Sequence, residues 1–304
     1  MIIRLGIVKL VGSEYMRYQV SHTTRFRYEQ PVATSYQLLH LTPRSFDKQQ
    51  VLSSKLSVEP IPVSLQQRTD YFGNAVTDIV IQERHEELII TNQAQVDVNA
   101  DQEILLDLSP PWESIAESMH IPLDNDTRDA SKFCFPSPRI SLDAVPDFAR
   151  VSFTQGKPLL RAAMEITKRI FEEFEYQGGV TDVYTPVPHI LGARAGVCQD
   201  FAHLAIACLR SWGLPARYVS GYLLTQPADG QPRLTGADAS HAWFSVWCPE
   251  FGWVDFDPTN NLRPQNEHIT IGWGRDYSDV SPTRGFIRGG GAQELHVAVD
   301  VRPT

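Results

Sequence analysis

The chain has 304 residues, with 27 Lys+Arg against 36 Asp+Glu and a net charge of −9. Hydrophobic residues make up 42% and charged residues 21%, enough apolar material for a packed core, which excludes a disordered chain. The acidic balance is the wrong sign for tracking phosphates, and no run approaches the ~18 apolar residues of a membrane span, so neither a nucleic-acid nor a membrane partner is expected. Length alone suggests about two domains.

Residues 1–15 hold only short apolar runs, broken by Arg4, Lys9 and Glu14, with no small-residue cleavage site after them. They read as an extension or alternative start ahead of Met16, and a cytoplasmic location is expected. Residues 16–104 read as an N-terminal β domain. Period-two alternation recurs in Tyr18–His22, Leu56–Val58, Ile79–Ile81, Leu88–Ile90 and Ala94–Val98. Gln30-Pro31, Thr42-Pro43-Arg44, Glu59-Pro60 and Phe72-Gly73-Asn74 read as turns between antiparallel strands, and Asp70–Asn74 reads as a hairpin turn. Proline density in residues 105–156 marks a connecting region with short helices at most.

In residues 157–304 the period changes. Leu160, Met164, Ile166, Ile170, Phe171 and Phe174 form one helical face after Pro158. A second face runs through Phe201, Leu204, Ala205, Cys208, Leu209 and Trp212 and stops at Gly213 and Pro215. Strands are predicted at Ala216–Leu224, His241–Cys248 and Gly252–Asp257. A helix followed by antiparallel strands makes this half α+β.

The chemistry centres on Cys198, which opens the second helix. A helix N-terminus offers free N–H groups and a partial positive charge, which favour a thiolate and an oxyanion beside it. Cys208 sits in an apolar register and reads as core; Cys134 and Cys248 have no base nearby, and all four thiols are expected to be reduced. A thiolate nucleophile needs an imidazole, and the imidazole needs a group to orient it. His241 begins one strand. Asp255 and Asp257 lie on the next, on one face by the strand period, so spacing alone does not choose between them.

The blocks Gly196-Val-Cys198-Gln-Asp-Phe-Ala-His203, Gly221-Tyr222, His241-Ala-Trp243 and Gly252-Trp-Val-Asp-Phe-Asp-Pro-Thr-Asn260 resemble those of the bacterial transglutaminase-like proteins. The tail Gly274–Pro282 looks like their C-terminal signature, and the N-terminal strands with Asp70–Asn74 are similar to the β domain that precedes their core. The resemblance implies a papain-like α+β core with a Cys-His-Asp triad: Cys198 as nucleophile, His241 as base and, through the Asp-Pro-Thr match, Asp257 as orienting carboxylate. Asp255 is then an outer partner. The Cys198 N–H is one oxyanion donor. No Gln stands between Gly192 and Val197 and no Trp between Trp112 and Cys198, so Tyr184, Gln177 and Gln199 remain candidates for the second donor, with Tyr277 lining the cleft. His203 is either an outer partner or a solvated helix residue. Trp243, Trp247 and Trp253 read as core.

No cofactor is expected. Cys198, Asp200 and His203 lack the paired spacing of a zinc site, and there is no EF-hand loop. The implied reaction is thiolate attack on an amide carbonyl of a protein or peptide substrate. Water as acceptor makes the enzyme a cysteine protease, isopeptidase or amidase, the favoured reading. An amine makes it a crosslinking transglutaminase, and a silent peptide-binding module is the third reading. The loop Gln177–Thr185 and the segment Gln226–Asp238 are expected to shape the cleft. Oligomeric state is left open.

Overall fold

A computed structural model describes residues 15–100, 103–224 and 239–304. The chain begins with five strands: β1 (Tyr15–Leu39), β2 (Gln49–Glu59), β3 (Ser64–Thr69), β4 (Ala75–Ile81) and β5 (His85–Asn99). A short turn of 3-10 helix leads to α1 (Trp112–His120), α2 (Asn125–Ser131), α3 (Pro146–Arg150) and the longer α4 (Leu159–Glu173). Then come β6 (Glu175–Tyr176), α5 (Val187–Ala193), β7 (Ala195–Gly196) and α6 (Cys198–Arg210). The chain continues through β8 (Ala216–Leu223), β9 (Ala239–Cys248), β10 (Gly252–Phe256), β11 (His268–Gly274), α7 (Tyr277–Val280), β12 (Thr283–Gly289) and β13 (Gln293–Pro303). The fold is α+β, and among the described residues no helix is long and apolar enough to cross a membrane. Residues 1–14 of the expected extension and the segment Gln226–Asp238 lie outside the described residues.

β1 organises the first half. Its early residues pair with β5 and its late residues with β4, and β2 and β3 flank these two. Gln30-Pro31, expected as a turn, lies inside this one 25-residue strand. The ladder with β5 is interrupted between Arg27 and Val32, the place where a proline without an N–H costs no rung. β12 and β13 run back from the second half and pair with β1, completing a seven-stranded antiparallel sheet.

In the second half β10-β9-β8-β11 form a four-stranded antiparallel sheet. α6 packs against it and is buried from Asp200 to Arg210. The fully buried Arg210 guanidinium donates to the carbonyls of Ala216, Phe135 and Arg275, which satisfies its donors in the interior. The proline-rich region is more than a connection. Ile115, Met119, Ala130 and Phe148 of α1–α3 join the core formed by Ile166 of α4 and Leu204 of α6.

The two sheets meet through Tyr18, Val20, Val96, Val98, Val299 and Val301 on one side and Tyr222, Ile269 and Ile271 on the other. Each such full burial contributes about 1.5–3 kcal/mol. β11, the edge strand of the smaller sheet, has open backbone groups that side-chain amides of the larger sheet satisfy. Gln49 accepts from Thr270 N–H at 2.8 Å and donates to Thr270 C=O at 2.7 Å. Asn74 does the same for Trp273, at 3.0 and 2.8 Å. The Asp70–Asn74 segment is the β3–β4 turn, with Asp70 Oδ1 accepting from the N–H groups of Phe72 and Asn74 and Gly73 at φ +80°. It also presents Asn74 to β11.

Candidate active site

Cys198 is the first residue of α6, after the extended Val197. The turn is held by Asp200, whose Oδ2 accepts from Val197 N–H at 2.8 Å and from the Thr181 hydroxyl at 2.6 Å. Burial raises the Asp200 pKa, while these two hydrogen bonds favour the carboxylate. Gly196 is required here, because a Cβ would stand 2.7 Å from the same oxygen. The half-buried Cys198 thiol therefore sits where free helix N–H groups and the positive end of the helix dipole converge.

His241 lies on β9, opposite Gly221 of β8. Its buried imidazole places Nε2 2.8 Å from Asp257 Oδ2, and the ring is also hydrogen-bonded to the Cys198 side chain. Asp257 follows the end of β10. Its Oδ1 accepts from the N–H groups of Thr259 and Asn260, at 2.9 and 3.3 Å. Its Oδ2 faces two further donors, Asn260 Nδ2 at 2.7 Å and His268 Nε2 at 3.0 Å. Burial disfavours the charged imidazole of His241, yet the Asp257 carboxylate outweighs it and lifts the pKa from 6.5 to about 10. Burial likewise opposes the Asp257 charge, but His241 and His268 hold this carboxyl well below its usual range.

Spacing left Asp255 and Asp257 equivalent; the structure separates them. Asp255 accepts from the Ser245 hydroxyl across the β9–β10 ladder and lies in the field of Arg217. Asp257 stands one residue past the strand, where a turn supplies two N–H groups to its carboxylate.

His268 is the residue the sequence reading missed. It lies on β11 and reaches Asp257 beside the glycine of β8. Gly221 pairs with both His241 and Thr270 of the flanking strands. A Cβ at Gly221 would stand 2.5 Å from the Trp243 ring and 2.2 Å from Ile269 C=O. Trp243, fully buried as expected of core, packs edge-on against His268 with ring centroids 5.1 Å apart. One nitrogen each of His241 and His268 and an Asp257 oxygen converge within 4.8 Å. Their 2.8 and 3.0 Å separations, with Asn260 N–H on the same oxygen, are hydrogen-bond distances, shorter than the spacing of ligands around one tetrahedral zinc.

The remaining predicted residues are scattered around this centre. Gln177 N–H donates to Gly196 C=O through the β6–β7 pair, which brings its backbone beside the Cys198 turn while its side chain is exposed. Gln199 is half-buried in the first turn of α6. Tyr184 is exposed, with the Arg139 guanidinium 4.3 Å over its ring, and both line a groove of about 410 Å³. Tyr277 is half-buried, and its N–H donates to His203 Nε2 at 3.1 Å. His203 is thus not solvated: it is buried, and burial lowers its pKa to about 4. Half-exposed Tyr176 also escaped the sequence reading. Burial of its ring, together with the charges of Cys198, Asp200 and Asp257, pushes its phenol up to about 12. Burial likewise raises Cys134, Cys208 and Cys248 to about 12, as inert core thiols require, and all four cysteines are free.

Two family models match separate stretches of the chain. The bacterial transglutaminase-like N-terminal region matches residues 18–97, and the transglutaminase-like superfamily matches residues 148–258. An uncharacterized Mycobacterium tuberculosis protein is 40% identical over 296 residues, covering 94% of this chain and 93% of its own. The chain belongs to the transglutaminase-like superfamily. A solved structure of a "Putative Cysteine Protease" from Cytophaga hutchinsonii is similar to this transglutaminase-like chain with a TM-score of 0.75 at 25% identity, covering 96% of this chain and 91% of that one. A Pseudomonas aeruginosa protein-glutamine gamma-glutamyltransferase is 37% identical over 78 residues, which are 25% of this chain and 12% of its own length.

Proposed function

We propose that this protein is a cysteine hydrolase that cleaves an amide bond in a protein or peptide, with Cys198 as nucleophile, His241 as base and Asp257 as orienting carboxylate. One observation carries the reading: an imidazole bonded at Nε2 to a buried carboxylate and also to a thiol at a helix N-terminus. The name of the Cytophaga hutchinsonii protein agrees with it. In this mechanism His241 takes the Cys198 proton and the thiolate adds to the carbonyl carbon. The oxyanion turns toward the Cys198 N–H at the start of α6, and Gln177, Gln199, Tyr184 and Tyr176 are the candidates for a second donor. Collapse breaks the C–N bond, His241 gives its proton to the leaving amine, and a thioester remains. His241 then deprotonates a water that attacks the thioester, releasing the acid and restoring the thiol.

An amine in place of that water would make the enzyme a transglutaminase, a second reading favoured by the glutamyltransferase relative. Iodoacetamide alkylation between pH 5 and 9 tests the shared half-reaction. The native chain is expected to label at Cys198 well below pH 8, with this acid-side labelling lost in Cys198→Ala and sharply slowed in His241→Ala. A profile matching a free thiol near pH 8.5 would overturn the pairing. Glutamine-peptide turnover with and without an added primary amine separates the acceptors: free acid in both cases supports the hydrolase, and amine incorporation supports the transferase.

A further inference from the structure

We propose that His268 is a positioning residue for the Cys198–His241 pair, and that the N-terminal sheet holds it in place through Gln49. The proposal rests on the catalytic reading of Cys198, His241 and Asp257 given above. It starts from the oxygen that orients His241. Asp257 Oδ2 faces three N–H donors: His241 at 2.8 Å, Asn260 at 2.7 Å and His268 at 3.0 Å. A carboxylate held by one imidazole can rotate about its side-chain bonds. Here Oδ1 is tied to two backbone N–H groups, and His268 and Asn260 approach Oδ2 beside His241, so the direction from which it accepts is set.

His268 is built for this task. It is buried, its ring lies 5.8 Å from that of His241, and Trp243 packs edge-on against it. An ionised carboxylate only accepts, so the proton on Nε2 points at Asp257. Nδ1 is buried with no partner among the described residues, and the ring borders a cavity of about 20 Å³ also lined by Asp255, Lys48 and Trp243. Among the described residues, the polar contact of this ring is thus the one to Asp257. The charged and titratable groups around it are Asp257, His241, Asp255 and Lys48; those around the thiol are His241, Asp200, Tyr176 and Tyr218.

The larger sheet enters through β11. His268 begins this strand, and two residues later both backbone groups of Thr270 are bonded to the Gln49 side chain at 2.7 and 2.8 Å. The ladder between β11 and β8 is irregular between Thr270 and Gly272, so β8 alone sets the register of this edge loosely, and the Gln49 clamp falls at that point. This gives the N-terminal domain a part in the reaction: it fixes the fourth group of the catalytic network.

The test uses the full chain and compares the pH profile of Cys198 alkylation and of kcat/KM for the native protein, His268→Leu, His268→Gln and Gln49→Ala, with thermal unfolding to verify folding. His268→Leu is expected to slow alkylation at pH 6 roughly ten- to a hundredfold and move its acid limb up by about one pH unit. Gln can direct an amide N–H at the same oxygen, so His268→Gln is expected to recover most of both. Should His268→Leu not fold, His268→Asn, polar but too short to reach, takes its place. A folded His268→Leu or His268→Asn with the native profile reduces His268 to packing and overturns the proposal. Gln49→Ala is expected to shift the profile in the same direction; an unmoved profile overturns the part given to the sheet. If the native chain itself labels like a free thiol, the catalytic reading fails and this proposal with it, an outcome distinct from a native profile that the variants leave unchanged.

Discussion

Two aspartates two positions apart show what a single residue's surroundings decide. Asp255 sits inside β10 with a hydroxyl for a partner; Asp257 sits past its end, fully buried, with two backbone N–H groups on one oxygen and His241 on the other. Asp257→Asn exchanges an acceptor for an amide and removes the charge that sustains the imidazolium. It is expected to lower kcat/KM by about a hundredfold or more, with Asp255→Asn within a few-fold of the native enzyme. Steady-state kinetics on the folded variants checks this, and the reverse order would move the orienting role to Asp255. Cys198 and His241 were legible because each stands at or near the start of an element whose pattern is plain: an apolar helix behind a glycine, and a strand rich in aromatics. The aspartates were not separable, since period two puts both on one face and the end of β10 depends on the Thr259–Asn261 turn, where Asn261 takes φ +52°. His268 was invisible for a different reason. It is a lone histidine in a strand that no local pattern predicts, and β8, on which Gly221 leaves no room for a Cβ beside Trp243 and Ile269, separates it from the strand of His241.

Elements followed the sequence where a local pattern specifies them. α4 and α6 carry the apolar spacing of helices buried on one face or all round, and β8, β9 and β10 fall within a residue or two of the predicted strands. β1 was fragmented in the sequence reading because Pro31 resembles a turn, and whether a proline ends a strand depends on a partner more than fifty residues away. β11, β12 and the pairing of β13 depend on such long-range register and left little local trace. The element that matters most for chemistry is the first turn of α6, and it rests on one carboxylate. Asp200→Ala removes the acceptor for Val197 N–H and for the Thr181 hydroxyl. The expected cost is about 0.5–2 kcal/mol, the usual worth of a helix-terminal cap. Loss of the tether to the 181 loop adds a slower alkylation of Cys198 at pH 6. Urea denaturation and the alkylation rate measure the two effects separately, and a variant with native stability and native labelling would show that the turn is held by the β6–β7 pair alone.

For the molecule as a whole, protons report on how the halves are joined. His22 lies on β1 at the junction of the sheets, bonded to Tyr222 Oη at 2.8 Å and Thr24 Oγ1 at 3.0 Å, and burial lowers its pKa to about 4. His203 ties α6 to α7 and is lowered to about 4 by the same cause. Burial also lowers the pKa of His40, near the end of β1. Below pH 6.5 the unfolded chain takes up protons that these folded imidazoles refuse, so stability falls as the pH drops toward 4. His241 acts in the opposite sense. Its folded pKa is raised to about 10, so its contribution is fully present below pH 6.5 and is lost as the pH rises from 6.5 toward 10. Stability is therefore expected to peak near pH 6.5, with an acid slope of about two protons from His22 and His203 plus the share of His40, and an alkaline slope near one. Denaturant midpoints from pH 4 to 9.5 measure the curve. His22→Gln and His203→Gln should each remove about one proton from the acid slope, and His241→Gln should flatten the alkaline side without touching the acid one. A maximum above pH 8 in the native chain would mean that the His241–Asp257 pair is not held as an imidazolium and carboxylate in the folded protein. The acid slope alone would then remain, as a measure of the buried histidines, His22 and His203 among them, that brace the sheets and the last helix.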